Sequence, residues 1–375
     1  MDRHRGEASL STPSSLTRRY TDPALYSPRL AQQAPVPTAG LSTEVYDTFV
    51  DQMPSLSGQT AFVTGANTGL GYHAARALAK RGARVVLLCR DIHKAAAAKR
   101  EMLADDASLA IEAEHLDLSS LAQVRECAAE LRARFAMCDL LLLNAGVMGV
   151  QHSLTEDGHD VQLQANHLGH FLLVHELLPL LLAAGAEEGR GPARVVSHSS
   201  NAHWMMWPAF SAADADGACG GGFRALPWHL CNWLPGGATW ARYGQSKLCN
   251  LLFTLELQRR IEARGLGEQL QATCAHPGVA VSQLFQVAAG ASFLPGWHKM
   301  GSTGVAQSAQ DGCTPLLLAA TGADVRGGEY FGPANGAKGP PARATVRGYG
   351  RDEAMAREMW AWSEGACALA SFGGW

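Results

Sequence analysis

From Ser57 onward, short, near-continuous apolar runs alternate with longer helical patterns. Thr60–Thr64, Arg84–Cys89, Ile111–Leu116, Leu140–Leu143 and Arg194–Ser197 are the short runs, and they predict strands. Gly69–Arg81 and residues 91–104 predict the first two intervening helices, and helical stretches precede the later strands. Strands that are apolar on both faces belong to a parallel sheet covered by helices on each side. The expected fold class is therefore α/β: a Rossmann-like, doubly wound parallel sheet in a single domain, binding its ligands at the carboxyl ends of the strands.

Residues 1–45 are a different material. They are rich in Ser, Thr, Pro and Arg and carry no apolar period, which predicts disorder. We take residues 1–50 as a disordered N-terminal tail and 51–375 as one domain. The tail's Arg and Ser leave organelle targeting open, with Asp2 and Glu7 counting against it. Nine Cys without a Cys-x-x-Cys spacing argue for reduced thiols. The longest apolar run, Leu177–Gly185, is broken by Pro179 and is shorter than the ~20 residues of a membrane span. These features predict an intracellular chain, cytoplasmic by default. A net charge of -3, from 31 basic and 34 acidic residues, excludes a global basic field, so no nucleic acid partner is expected.

Thr64-Gly65-Ala66-Asn67-Thr68-Gly69-Leu70-Gly71 leaves the first strand and opens the first helix. Glycines there let backbone approach a dinucleotide pyrophosphate, and a helix N-terminus favours its negative charge. Tight βα packing alone would also ask for glycines. A site preferring NAD usually places an acid at the end of the second strand, about 20 residues after the glycines. Here Cys89 is followed by Arg90, with Lys94 one turn on. A cation without that acid suits a 2′-phosphate, hence NADP. The competing explanation is a surface ion pair of Arg90 with Asp91 or Glu101.

Tyr243-Gly244-Gln245-Ser246-Lys247 places a phenol and an ammonium on one helix face. A neighbouring Lys⁺ favours phenolate, so the pair predicts a lowered Tyr pKa and a usable acid/base near neutrality. Seven Tyr and six Lys would give only about 0.1 such pair by chance, so the spacing carries weight.

The set Thr64–Gly71, Asn144-Ala145-Gly146, Asn166-His167-Leu168-Gly169-His170-Phe171, Ser199-Ser200 and Tyr243–Lys247 resembles the short-chain dehydrogenase/reductase family over roughly residues 55–370. Tyr243–Asn250 and His276-Pro277-Gly278 look most like its retinol dehydrogenase and WW-domain oxidoreductase branch, although no WW module is visible. The resemblance implies that Tyr243 is the catalytic acid/base, that Lys247 holds the nicotinamide ribose, and that Ser200 bonds the substrate carbonyl. It implies that Asn166 anchors a relay water near Lys247 and that Asp117, followed by Leu118, contacts the adenine. Asn144, Ala145 and Gly146 would line the cofactor, and Pro277 and Gly278 would support its nicotinamide end. Choosing Ser200 over Ser199 rests on the family pattern alone. His167 and His170 stand three apart without further ligands, so a structural role is expected for both and no metal.

Two stretches depart from the pattern. Ser200 and Tyr243 are 43 residues apart, and the insertion at about 203–240 carries Trp204, Trp207, Trp228, Trp233 and Trp240 with only three charged side chains. A second apolar loop, Val279–Met300, holds Phe285, Phe293, Leu294 and Trp297. Aromatic loops beside a site suggest a wall for an apolar substrate or a peripheral membrane or partner contact; a self-packed excursion is the plain alternative. The expectation is an NADP-dependent oxidoreductase interconverting a carbonyl and an alcohol on a retinoid-, steroid- or lipid-like substrate, with a homo-oligomer left open. The rivals are a C=C reductase similar to protochlorophyllide reductase and a non-catalytic NADP-binding scaffold.

Overall fold

The computed structural model describes residues 41–150, 153–205, 209–215, 237–282 and 305–374. Helix α1 (Glu44–Gln52) precedes strand β1 (Thr60–Thr64), α2 (Gly69–Lys80), β2 (Arg84–Cys89), α3 (Ile92–Asp105), β3 (Ile111–His115) and α4 (Leu121–Arg134). Then come β4 (Leu140–Leu143), a π-helical turn (Gln164–Leu168) running into α5 (Gly169–Ala186), β5 (Ala193–His198), α6 (Gly237–Glu262) and β6 (Leu270–Ala275). Helix α7 (Ala309–Thr321), β7 (Tyr330–Pro333), β8 (Pro341–Arg343) and α8 (Glu353–Ala366) complete the order. One sheet runs β3-β2-β1-β4-β5-β6-β7-β8, parallel except for the antiparallel β8 at its edge.

The strand signal is strong because the central strands are sealed on both faces: every residue of β4 and β5 is buried. One face packs α4, α5, α6 and α8 over Phe62, Leu141 and Val195. The other packs α1, α2, α3 and α7 over Val63, Leu142 and Val196. Helix starts follow from capping side chains. Asp91 accepts from the amides of His93 and Lys94 to begin α3, and Ser120, Ser308 and Asp352 begin α4, α7 and α8 in the same way. Helix α2 begins at Thr68 with no side-chain cap.

Two expectations change. The tail set at residues 1–50 overruns an ordered helix, since α1 covers 44–52. Tyr46 and Val50, one turn apart, are buried, and the Tyr46 amide donates to Asp311 of α7 at 2.9 Å. Nine residues are too few for a period of 3.6 to stand out from a Ser/Thr-rich flank, so only the docking reveals the helix. The apolar run at Leu177–Gly185 belongs to a longer helical stretch, Val161–Ala186, which by length and composition could cross a membrane. It is instead largely buried. The segment around α8 closes it off: Trp360 and Phe372 meet Phe171 edge-on at 5.1 and 4.9 Å, and Ser363 Oγ bonds His167 Nε2 at 2.8 Å.

Candidate active site

The carboxyl ends of β1, β4, β5 and β6 lie side by side, and the residues just beyond each strand end assemble the site. After β1, Gly65 (φ +65°) and Gly69 (φ +58°) take left-handed backbone that other residues adopt only with strain. A Cβ on Gly65 would stand 2.9 Å from Ala145 Cα, and one on Gly71 would stand 2.5 Å from the Gly65 carbonyl and still closer to Asn144 Nδ2. Close packing against the residues after β4 therefore explains Gly65 and Gly71. Gly69 is different, because among the described residues only Ser282 lies within 4 Å of its would-be Cβ. With Thr68 uncapped, the first amides of α2 keep donors for a ligand beside that space.

Asn144 clamps the turn. Its Nδ2 donates to the Thr64 carbonyl at 2.9 Å and the Gly65 carbonyl at 3.3 Å, while the Ala145 amide donates to Thr64 Oγ1 at 2.9 Å. Its Oδ1 lies 3.0 Å from His198 Nδ1. At the end of β2, the Cys89 thiol sits against the amides of Ala66 and Asn67, and burial pushes it up to about 11. Arg90 is exposed, and Asp91 has turned its carboxylate to the start of α3. After β3, Asp117 Oδ1 accepts from the Ser119 amide and hydroxyl at 2.9 and 2.6 Å, while Leu118 is buried in the core.

Tyr243 and Lys247 are both buried, one turn apart on α6. Lys247 Nζ stands 5.8 Å from the Tyr243 ring centre and donates to the His198 carbonyl at 3.0 Å, an oxygen that Asn250 Nδ2 also reaches at 3.1 Å. Burial pushes Lys247 down to about 8. Burial likewise pushes the Tyr243 phenol up to about 12, against a downward pull from its hydrogen bond with Ser200. This corrects the expected lowering of Tyr243 by Lys247. In this arrangement the loss of water raises the phenol, and the ammonium is tethered to the His198 carbonyl.

The structure separates the two serines. Ser199 Oγ donates to the Lys247 carbonyl at 2.8 Å and so ties β5 to α6, whereas the Ser200 hydroxyl faces the Tyr243 phenol. Asn166 sits in the π turn with its side chain fully engaged. Oδ1 accepts from the Val147 amide at 2.7 Å, and Nδ2 donates to the Val147 carbonyl and Ser246 Oγ, both at 2.9 Å. Gly146 lies between Asn166 and Lys247, since a Cβ there would be 3.0 Å from Asn166 Oδ1 and 3.4 Å from Lys247 Nζ. After β6, Gln307 Nε2 donates to the Pro277 carbonyl at 2.8 Å, and Gly278 (φ +61°) lets the turn lie directly on the Ala337 carbonyl.

The catalytic and cofactor-binding residues expected from sequence thus fall along the carboxyl end of the sheet, with Arg90 and Asp117 toward β2–β3 and Tyr243 and Ser200 toward β5. Sequence reasoning gives no site role to Thr64, named only as the start of the glycine turn, or to His198, just past the expected strand Arg194–Ser197, although each closes a contact of the site. A polar residue at the last position of an apolar strand is the signal that marks them. Of the aromatic stretches, Trp240 meets Tyr243 edge-on at 6.0 Å and Arg347 lies over Trp204 at 5.0 Å. Trp207, Trp228, Trp233, Phe285, Phe293, Leu294 and Trp297 lie outside the described residues.

Residues 59–215 match the short chain dehydrogenase family. Over 315 residues the chain is 36% identical to Retinol dehydrogenase 13 of Homo sapiens, covering 82% of this chain and 84% of that one. It is 33% identical over 307 residues to Retinol dehydrogenase 11 of Mus musculus, covering 81% and 85%. Among solved structures, an uncharacterized protein from Mycobacterium Paratuberculosis is similar at a TM-score of 0.65 and 34% identity, covering 86% of this chain and 98% of that one.

Proposed function

The chain belongs to the short-chain dehydrogenase/reductase family, in its retinol dehydrogenase branch, and from that premise we propose that it is an NADP(H)-dependent enzyme interconverting an apolar aldehyde or ketone with its alcohol. The family acts on CH–OH and C=O groups with NAD(P)(H). The observation that carries the finer reading is the Ser200 hydroxyl facing the phenol of a Tyr243 whose helix also presents Lys247.

The residues present fit a dinucleotide. The uncapped start of α2 and the open space at Gly69 suit a pyrophosphate, and the exposed Arg90 at the end of β2 suits a 2′-phosphate. When bound, the nicotinamide supplies or accepts the hydride. In the reducing direction Ser200 would hold the carbonyl oxygen and Tyr243 would pass its proton to that oxygen as negative charge develops there. Lys247, still cationic at neutral pH, would favour the phenolate left behind and hold the ribose. A phenol held high before reaction is a weak acid, so proton transfer gains from bringing Lys247 to bear on it. The named relatives and the apolar composition of the two aromatic stretches support a retinoid-like substrate, for which all-trans-retinal is the first probe.

Fluorescence titration with NADPH and NADH, with Arg90→Ala alongside, tests the cofactor, and NADPH-linked reduction of all-trans-retinal tests the chemistry. The expected result is tighter binding of NADPH than NADH and loss of that margin in Arg90→Ala. Equal binding of both dinucleotides with an indifferent Arg90 would refute the NADP reading, and binding of neither would refute the enzyme reading itself.

A further inference from the structure

We propose that His170 is a positioning residue that couples the cofactor-binding turn to the corner holding Asn166, Lys247 and Tyr243; this rests on the oxidoreductase reading above. The ring is buried, and both of its nitrogens are engaged. Nδ1 lies 3.1 Å from the main-chain oxygen of Asn166, and Nε2 lies 2.9 Å from Thr64 Oγ1. A carbonyl oxygen only accepts, so Nδ1 carries the hydrogen. The neutral ring then accepts the Thr64 hydroxyl hydrogen on Nε2, the shorter of that hydroxyl's two donor contacts, the other being the Leu142 carbonyl at 3.3 Å. Burial holds the ring neutral, pushing His170 down to about 4.

The groups beyond each contact give the ring its importance. Thr64 Oγ1 also accepts from the Ala145 amide, and the Thr64 carbonyl is held by Asn144, so this residue sets where the glycine turn begins. Asn166 holds both main-chain polar groups of Val147 and bonds Ser246, whose hydroxyl donates to the Tyr243 carbonyl at 2.8 Å. Gly146 leaves only narrow clearance between Asn166 and Lys247. One imidazole therefore bridges the strand end that receives the dinucleotide and the π turn that abuts the acid/base pair. An apolar side chain of equal volume would fill the space and hold neither end. His170 touches no reacting atom, so its effect passes through Thr64 and Asn166.

Two isosteres divide its contacts. Asn places an amide nitrogen near the Nδ1 position and keeps the bond to Asn166, while Gln reaches the Nε2 position and keeps the bond to Thr64. The full chain is titrated with NADPH by fluorescence and assayed for NADPH-linked reduction of all-trans-retinal. His170→Asn is expected to weaken NADPH about tenfold and to slow turnover less; His170→Gln is expected to slow turnover about tenfold and to weaken NADPH less, the scale of one buried hydrogen bond in each case. Thr64→Val should reproduce the weakened NADPH binding and Thr64→Ser should restore it. If the Asn and Gln variants lose affinity and turnover in the same ratio, in step with their unfolding midpoints, the ring is packing only and the proposal fails. Should neither His170 variant fold, Thr64→Val binding NADPH like the parent overturns it. A parent chain that binds NADPH but leaves retinal unchanged refutes the substrate assignment alone, and the division in NADPH affinity still decides the role of His170.

Discussion

Replacing Gly71 by Ala and, separately, Gly69 by Ala distinguishes glycines that pack from glycines that make room for a ligand. At Gly71 the backbone φ is ordinary, so the added methyl acts by space alone. It would fall 2.5 Å from the Gly65 carbonyl and inside contact distance of Asn144 Nδ2, both main supports of the turn. Overpacking of this kind costs about 1–3 kcal/mol, and each Asn144 hydrogen bond it displaces adds roughly 0.5–1.5 kcal/mol. The reduced freedom of the unfolded Ala chain returns about 0.4–1 kcal/mol. The net expectation is about 2–3 kcal/mol of lost stability, with NADPH affinity falling because the clamp has moved. At Gly69 the methyl meets, among the described residues, only Ser282, at 3.5 Å, and the cost is that of a left-handed alanine, about 1–2 kcal/mol. There the larger effect should be on NADPH binding, since the methyl enters the space assigned to the pyrophosphate. Urea unfolding without cofactor and NADPH fluorescence titration measure the two quantities on the same samples. A Gly71→Ala protein with the parent's unfolding midpoint refutes the packing account of the turn. A Gly69→Ala protein that loses stability but binds NADPH as before refutes the ligand account.

Tyr243→Phe should bind NADPH like the parent yet reduce all-trans-retinal 10²- to 10⁴-fold more slowly, the usual span for a lost general acid; turnover within threefold of the parent would exclude the assigned role. Lys247 is held below its usual value, near 8 against 10.5, so in this window the unfolded chain binds more protons and the Lys247 contribution to stability rises with pH. Lys247→Met should therefore be more stable than the parent at pH 7, and its advantage should shrink between about pH 8 and 10.5 in urea titrations at each pH. His170, at about 4, and His167, His198 and His276, at about 3, are all lowered by burial, so the fold loses stability as pH falls from 6.5 toward 4. Urea midpoints at pH 7.5 and 5.0 should differ with an uptake of more than one proton on unfolding.

The parts of the fold legible in the sequence are those with a one-dimensional signature. Strands sealed on both faces read as nearly continuous apolar runs and the edge strand β3 as a more broken one, so β1 to β5 and the helices after β1 and β2 can be placed within a residue or two. Helix α1 escapes because its stability comes from Asp311 and α7, more than 250 residues away, and not from its own nine residues. In the site, Tyr243 and Lys247 are visible because helical spacing puts them on one face. Ser200 and Ser199 are adjacent and chemically alike, and only the third dimension shows which hydroxyl is spent on the Lys247 carbonyl. The ionisation of Tyr243 misleads for a related reason: sequence shows its charged neighbour but not the depth at which both are held. The two contacts of His170 span 106 and 4 residues, and its sequence neighbours give no hint of the longer one.

The cover over α5 is supplied by a part of the chain made much later than the helix itself. Trp360 and Phe372 close over Phe171 nearly two hundred residues after that helix has left the ribosome, an interval of roughly 10–40 s at ordinary rates of synthesis. During that time the nascent chain displays a long apolar helix to whatever binds such segments first, and a message cut short before Glu353 would leave it displayed for good. The segment 353–372, although it contributes none of the residues assigned to the glycine turn or the Tyr243–Lys247 pair, is thus needed to bury that helix.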